Sequence, residues 1–215
     1  MLQRIIGITG GIATGKTTVS EYLHLTYGLP ILDADIYARQ ALTAERLDQL
    51  RDRYGKQVFD QQNHLDRAKL GAIIFADSQE RQWLESIIHP YVRDCLITDA
   101  QRLAPYTVVM VIPLLFEAQM QDLVTETWVI TCPEELQLQR LIQRNQLNME
   151  AAQQRINSQM PQSTKIELAD VVIVNSPTDD CSDDLALNLD LDRQELYGQV
   201  DRALFRQEFY APMPE

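Results

Sequence analysis

Cysteine is scarce in this chain: three residues in 215, at Cys95, Cys132 and Cys181. The number is odd and the spacing fits no metal-ligand pattern, which argues against a disulfide framework or zinc site and for a reduced, cytoplasmic protein. Positive charge is also in short supply. Nineteen Lys and Arg stand against 31 Asp and Glu, a formal net charge of -12. That balance counts against general binding to nucleic acid or to an anionic membrane. No apolar run approaches the roughly 20 residues that span a bilayer, and Met1 leads straight into a strand-like run with no room for a signal peptide. The guanine-reading Asn-Lys-x-Asp is missing, and the only Asp-x-x-Gly, Asp52-Arg53-Tyr54-Gly55, closes a predicted helix instead of a strand. A nucleotide-switch reading has little to stand on. No internal repeat is present.

What the chain does have is Gly10-Gly11-Ile12-Ala13-Thr14-Gly15-Lys16-Thr17, which fits G-x-x-x-x-G-K-[ST] at every fixed position. The apolar run Ile5-Ile6-Gly7-Ile8-Thr9 precedes it and a predicted helix, Thr17 to about Tyr27, follows. A polyphosphate needs many donors and little steric bulk. Glycines let the backbone wrap the phosphates with its N–H groups inward, and a helix N-terminus adds its positive dipole end. Residues Gly11 to Thr18 form the predicted nucleotide-binding stretch, with Lys16 on the β- and γ-phosphates and the Thr17 hydroxyl on Mg²⁺. The chain is predicted to bind a nucleoside triphosphate.

The rest reads as an α/β core with two helical additions. A short strand, Leu29 to Leu32, ends in Asp33-Ala34-Asp35, at the sheet edge where ligands of open parallel sheets bind. Asp33 is expected to face the phosphates as a general base and Asp35 to lie near the start of one helix, Ile36 to Tyr54; the alternative is that one of the pair only caps that helix. Residues 56–104 are predicted to be a helical insertion. Its helices are Leu70 to Phe75, Ser78 to Ile88 (ending before His89-Pro90), and Tyr91 to about Leu103. The insertion suits an acceptor-binding role or a purely structural cap, and Arg67 within it suits an anion site or an ordinary surface. Tyr106 to Ile112 is the strongest strand, apolar throughout as a doubly covered parallel strand is. No Asp ends it, so support for Mg²⁺ must come from elsewhere.

Thr127 to Thr131 is a further strand. The helix after it carries Arg140 and Arg144 one turn apart, and a second, Met149 to Gln159, carries Arg155. Together they suit a lid over residues 136–165 whose arginines neutralise a moving phosphoryl group, unless they pair with Glu134 or Glu135. The last strand is Ala169 to Asn175. A polar, acidic linker (176–190, with Asp179, Asp180, Asp183, Asp184 and Asp190) precedes a closing helix from about Asp192 to Phe209. The nucleotide core therefore comprises 1–55, 105–135 and 166–215.

These segments resemble the dephospho-coenzyme A kinase family over nearly the whole chain to Asn175. The resemblance is carried by Ile8-Thr9-Gly10-Gly11-Ile12, Asp33-Ala34-Asp35-Ile36-Tyr37-Ala38-Arg39, Leu65-Asp66-Arg67, Ile88-His89-Pro90, Ile112-Pro113-Leu114-Leu115-Phe116-Glu117, Arg140 with Arg144, and Ala169 to Asn175. It implies a P-loop NTPase fold with an adenylate-kinase-like core, a five-stranded parallel sheet, a helical coenzyme A-binding insertion and a helical lid. It implies transfer of the ATP γ-phosphoryl group to the ribose 3′-hydroxyl of dephospho-coenzyme A, with Mg²⁺, by a monomer or small homo-oligomer. By residue, Asp33 matches the general base, Lys16 and Thr17 the phosphate and metal ligands, and Arg140 the lid arginine. Arg144 and Asn175 fall on the nucleotide side, and Thr9, Arg67 and His89 on the acceptor side. Another small-molecule or nucleoside monophosphate kinase on the same core is the enzyme alternative, to be separated by acceptor choice. Ala13-Thr14 stands where the family usually has Gly-Ser, and an Ala is tolerable there only if φ is not positive.

Overall fold

The computed structural model describes residues 3–42, 44–176 and 185–206. In chain order its elements are β1 (Ile5–Thr9), α1 (Lys16–Tyr27), β2 (Ile31–Asp33), α2 (Ala34–Ala41), α3 (Ala44–Tyr54), α4 (Arg67–Ala76) and α5 (Ser78–Arg102). There follow β3 (Val108–Val111), β4 (Glu126–Thr131), α6 (Glu134–Asn145), α7 (Met149–Asn157), α8 (Gln162–Glu167), β5 (Val171–Val174) and α9 (Leu185–Leu204). They fall into two compact units, one made of residues up to Leu32 and from Leu103 on, the other of Asp33–Arg102.

The first unit is built on a five-stranded sheet in the order β2-β3-β1-β4-β5. β1 runs parallel to β3, Ile6 opposite Val109, and to β4, Ile8 opposite Trp128. Its inner strands are apolar on both faces because helices cover both, and Ile6, Ile8, Val109, Trp128 and Ile130 are buried. β5 is an edge strand and reads differently: Ile173 is buried while Val172 and Val174 are exposed. One face is closed by α1 and α9. Val19 and Leu23 from α1 join Leu196, Val200, Ala203 and Leu204 from α9 on Ile6, Ile8, Val111, Trp128 and Ile173. Each such side chain contributes about 1.5–3 kcal/mol by leaving water. Tyr22 and Tyr27 add directed bonds, both hydroxyls donating to Asp201 Oδ1 at 2.8 and 2.7 Å.

α9 starts at Leu185, seven residues before the expected Asp192. The backbone of 185–190 is therefore helical and not linker. The expectation of a solvated acidic stretch at Asp179, Asp180, Asp183 and Asp184 lies outside the described residues, as does Cys181.

The second unit is helical apart from Asp33, the last residue of β2, and an isolated antiparallel bridge between Phe59 and Leu65, and it reaches back past residue 56. Its core holds Leu50, Tyr54, Val58, Phe59, Leu70 and Leu84. Asp66 starts α4 by accepting from the backbone of Ala68 and Lys69, both at 3.1 Å. Two expectations need correction here. The single helix Ile36–Tyr54 is two helices, because Leu42 leaves helical geometry at φ -79, ψ 61; Arg46 donates to the carbonyl of Ala41 at 3.3 Å and so satisfies the end of α2. Conversely, α5 does not stop before His89-Pro90 but runs 25 residues with Pro90 inside it. Proline removes one helical hydrogen bond, and the buried stripe Leu84, Val92, Leu96 and Ala100 holds the turns on either side.

Candidate active site

The loop between β1 and α1 is bent by three left-handed residues: Gly10 at φ 146, Ala13 at φ 62 and Gly15 at φ 100. A β-carbon on Gly10 would fall 2.1 Å from the carbonyl oxygen of Ile130, and one on Gly15 would fall 2.0 Å from Asn175 Nδ2. Neither glycine is replaceable. Ala13 corrects the sequence reading, which admits alanine there only without positive φ. Its left-handed conformation costs about 1–2 kcal/mol, so neighbouring contacts must hold it.

Those contacts are hydrogen bonds within the loop and from distant segments. Thr14 Oγ1 donates to Gly11 O at 2.9 Å, and Asn175 Nδ2 donates to Thr14 O at 2.8 Å, tying the end of β5 to the loop. Gln137 Nε2 donates to Ile12 O at 2.7 Å, and Ile12 N–H donates to Gln159 Oε1 at 2.8 Å. Lys16 sits at the loop's mouth with Nζ donating to Gly10 O at 2.9 Å and Gly11 O at 2.8 Å. Thr17 is exposed and Thr18 half-buried in the first turn of α1, where backbone N–H groups lack intrahelical partners and attract anions.

Positive charge gathers beside this loop. Arg140 on α6 donates to Asn175 O at 3.4 Å. Burial pushes the Cys132 thiol above its ordinary pKa, while the charges of Arg140 and Lys16 pull it back, so both cations act on one point at the end of β4. Thr9, fully buried, donates through Oγ1 to Pro113 O at 3.1 Å. Arg144 is not brought to the loop: it is exposed and donates to the adjacent Asn145 Oδ1 at 3.0 Å. Among the described residues no ion pair joins Arg140 or Arg144 to Glu134 or Glu135; Glu134 instead accepts from Gln153 at 2.9 Å.

The other three expected residues belong to the helical unit. Asp33 ends β2 and is itself the cap of α2, Oδ1 accepting from Asp35 N–H at 2.8 Å. The cap was expected nearer Asp35; the strand runs directly into the helix, which leaves the N-cap position to Asp33. Arg67 is the first residue of α4 and donates to Arg39 O at 3.2 Å. His89 is half-buried in α5, and that burial pushes its pKa below the ordinary 6.5 against the opposing charge of Glu85.

Sequence reasoning missed four residues. Gln137, Gln159 and Gln162 form one network with the loop and the end of β4, Gln162 Nε2 donating to Gln137 Oε1 at 2.8 Å. Lys165 is fully buried, its Nζ 2.9 Å from Glu117 Oε1 and 3.3 Å from Pro113 O. Single glutamines carry no periodic signal, and lysine is almost never fully buried unless paired. The segment Ile112 to Glu117 held the only hint. Among the described residues no cluster of three His, Cys, Asp or Glu side chains could hold a metal ion.

Residues 4–180 match the family model described as dephospho-CoA kinase. A dephospho-CoA kinase of Trichormus variabilis is 52% identical over 196 residues, covering 89% of this chain and 100% of the relative. One from a Synechocystis species is 54% identical over 177 residues, covering 81% and 88%. Among solved structures, a dephospho-CoA kinase from Campylobacter jejuni superposes with a TM-score of 0.65 at 27% identity, covering 94% of this chain and 98% of that one. A Thermus thermophilus protein superposes with a TM-score of 0.75 at 30% identity, covering 99% and 100%.

Proposed function

The chain belongs to the dephospho-CoA kinase family, with the α/β fold of P-loop kinases and ATP-dependent phosphorylation of dephospho-CoA as its activity, and on that premise we propose how its residues divide the work. Lys16 leaves the carbonyls of Gly10 and Gly11 for the β- and γ-phosphates, and the amides from Gly11 to Thr18 wrap the rest. Arg140 neutralises the charge that develops on the transferring phosphoryl group. Asp33 takes the proton from the ribose 3′-hydroxyl, while Arg67, His89 and Thr9 shape the acceptor site. Asn175 serves the adenine side, and Arg144 joins the nucleotide when residues 136–165 act as the lid.

Mg²⁺ binds through hard oxygens, usually one or two protein groups plus phosphates and water. The exposed hydroxyl of Thr17, one residue beyond Lys16, suits that demand. When bound, the ion would screen the phosphate charge. Three cysteines in 215 residues support a cytoplasmic enzyme, and the reading is of a monomer or small homo-oligomer.

The observation that carries this reading is the phosphate loop, turned by Gly10, Ala13 and Gly15 with Lys16 bonded across its mouth. Its test is ADP release from MgATP with and without dephospho-CoA, with the product's mass measured. Acceptor-dependent release and a product heavier by one phosphate are expected. Release without dependence on this acceptor would refute the proposed acceptor.

A further inference from the structure

Both backbone polar groups of Ile12 are held by side chains from distant segments, the N–H in the peptide plane from Gly11 and the C=O in the peptide plane to Ala13. Its N–H donates to Gln159 Oε1 at 2.8 Å, and its C=O accepts from Gln137 Nε2 at 2.7 Å. Gln137, on α6, is only 1% exposed. Gln159 lies just past α7 and is half-buried. The orientation of the Gln137 amide is fixed from behind. Its Oε1 accepts from Gln162 Nε2 at 2.8 Å, and Gln162 in turn bonds Thr131 Oγ1 and Cys132 O. Gln137 also lies so close over the loop that a β-carbon on Gly11 would come within 2.6 Å of Nε2.

The residue after this clamped peptide is Ala13, at φ 62. A non-glycine residue keeps such a conformation only where its surroundings over-determine it. Without Gln137 the Ile12–Ala13 peptide plane could rotate and let Ala13 relax to negative φ, and without Gln159 the plane before it could follow, turning the loop's amides away from a phosphate. Gln137 and Gln159 both project from the stretch 136–165, which suits a lid.

We propose that Gln137 and Gln159 are positioning residues for the phosphate loop: by clamping the two peptide planes on either side of Ile12 they hold Ala13 left-handed, so that nucleotide affinity depends on the lid-bearing segment. The proposal rests on the reading of this loop as the ATP phosphate site. Neither glutamine need touch the nucleotide. Glycine adopts positive φ freely, so a chain with Gly at position 13 depends on the clamp much less.

The test is calorimetric titration of MgADP into the full chain carrying Gln159→Met or Gln137→Met, each with and without Ala13→Gly. Each glutamine variant is expected to bind MgADP about tenfold more weakly, about 1.4 kcal/mol, while kcat at saturating ATP changes less than threefold. Adding Ala13→Gly is expected to recover most of the lost affinity, a coupling that a purely structural role would not produce. Should the buried Gln137→Met fail to fold, Gln159→Met carries the test. Parent-like affinity in folded Gln159→Met overturns the proposal. So does a loss that Ala13→Gly leaves untouched, which would mean direct contact with the nucleotide. Lys16→Ala is the control: if it binds MgADP as the parent does, the phosphate-site reading itself fails.

Discussion

Lys165 has none of its side chain exposed, and its ammonium lies 2.9 Å from a carboxylate oxygen of Glu117. That oxygen also accepts from Met160 N–H at 3.1 Å, and Lys165 reaches Pro113 O at 3.3 Å. Removing one member of a buried pair strands the other, which is worse than removing both. Lys165→Met is expected to lower stability by about 3 kcal/mol in urea unfolding, and adding Glu117→Gln to recover most of it. An additive double variant would mean the two groups do not interact.

Asp33 caps α2 and is also the proposed base, two roles that substitution can separate. Asparagine caps a helix about as well as aspartate but is no general base. Asp33→Asn should keep the parent's melting temperature and its affinity for ATP while kcat falls by about 10²–10⁴. Near-parental turnover would remove Asp33 from the chemistry.

Ala13 stores backbone strain at φ 62. Ala13→Gly is expected to raise unfolding stability by about 1 kcal/mol, read as a shifted denaturant midpoint with an unchanged slope. A loss of stability would show that the parent conformation carries no strain there.

Arg140 stands at the end of β5 through Asn175 O, whereas Arg144 donates to its neighbour Asn145. Removing an electrostatic stabiliser of the transition state costs about 10²–10³ in kcat, the expected loss for Arg140→Ala. Arg144→Ala is expected to raise KM for ATP more than it lowers kcat. Equal kcat for Arg140→Ala and parent would exclude a role in phosphoryl transfer.

In the helical unit, Arg53 grips Glu80 with two hydrogen bonds, of 2.7 and 2.9 Å, and the Tyr54 hydroxyl adds a third at 2.6 Å. Arg53 first and Tyr54 second hold the Glu80 carboxyl down to about 2, against an ordinary 4.5. Because the folded value is the lower, the stabilisation is present above pH 4.5 and is lost as pH falls towards about 2. Glu80→Gln should flatten the fall in denaturant midpoint across that window. An unchanged profile would mean that the pair does not drive acid unfolding.

How much of this was legible in the chain depended on whether the cause was local. The phosphate loop is one contiguous pattern between a strand and a helix, and the inner strands announce burial on both faces by being apolar throughout. Pro90 misled because the forces that carry α5 through it come from Leu84, Val92, Leu96 and Ala100, packed against other helices. Leu42 misled in the opposite way, since the apolar pattern runs on across a break that Arg46 stabilises from the next helix. The glutamine clamp was invisible: Gln137 and Gln159 meet Ile12 across separations of 125 and 147 residues. That one of Asp33 and Asp35 caps a helix was legible, but not which, because nothing in the letters says that the strand ends one residue before the helix begins.

α9 contains no group assigned to the reaction, yet it is fastened to the helix that begins with the proposed phosphate and metal ligands. Tyr22 and Tyr27, on the far half of α1, are fastened to Asp201, and Tyr22 stacks on Tyr197 at 3.9 Å between ring centroids. α1 has 12 residues, a lever about 18 Å long. A swing of about 5° at its fastened end would carry the first turn, with Lys16 and Thr17, through about 1.5 Å, and a displacement of that order is enough to cost a hundredfold in rate. If Lys16 and Thr17 act as proposed, the last described helix is the aiming gear of the first, and a change at Asp201 is expected to reach the kinetics without ever meeting the substrate.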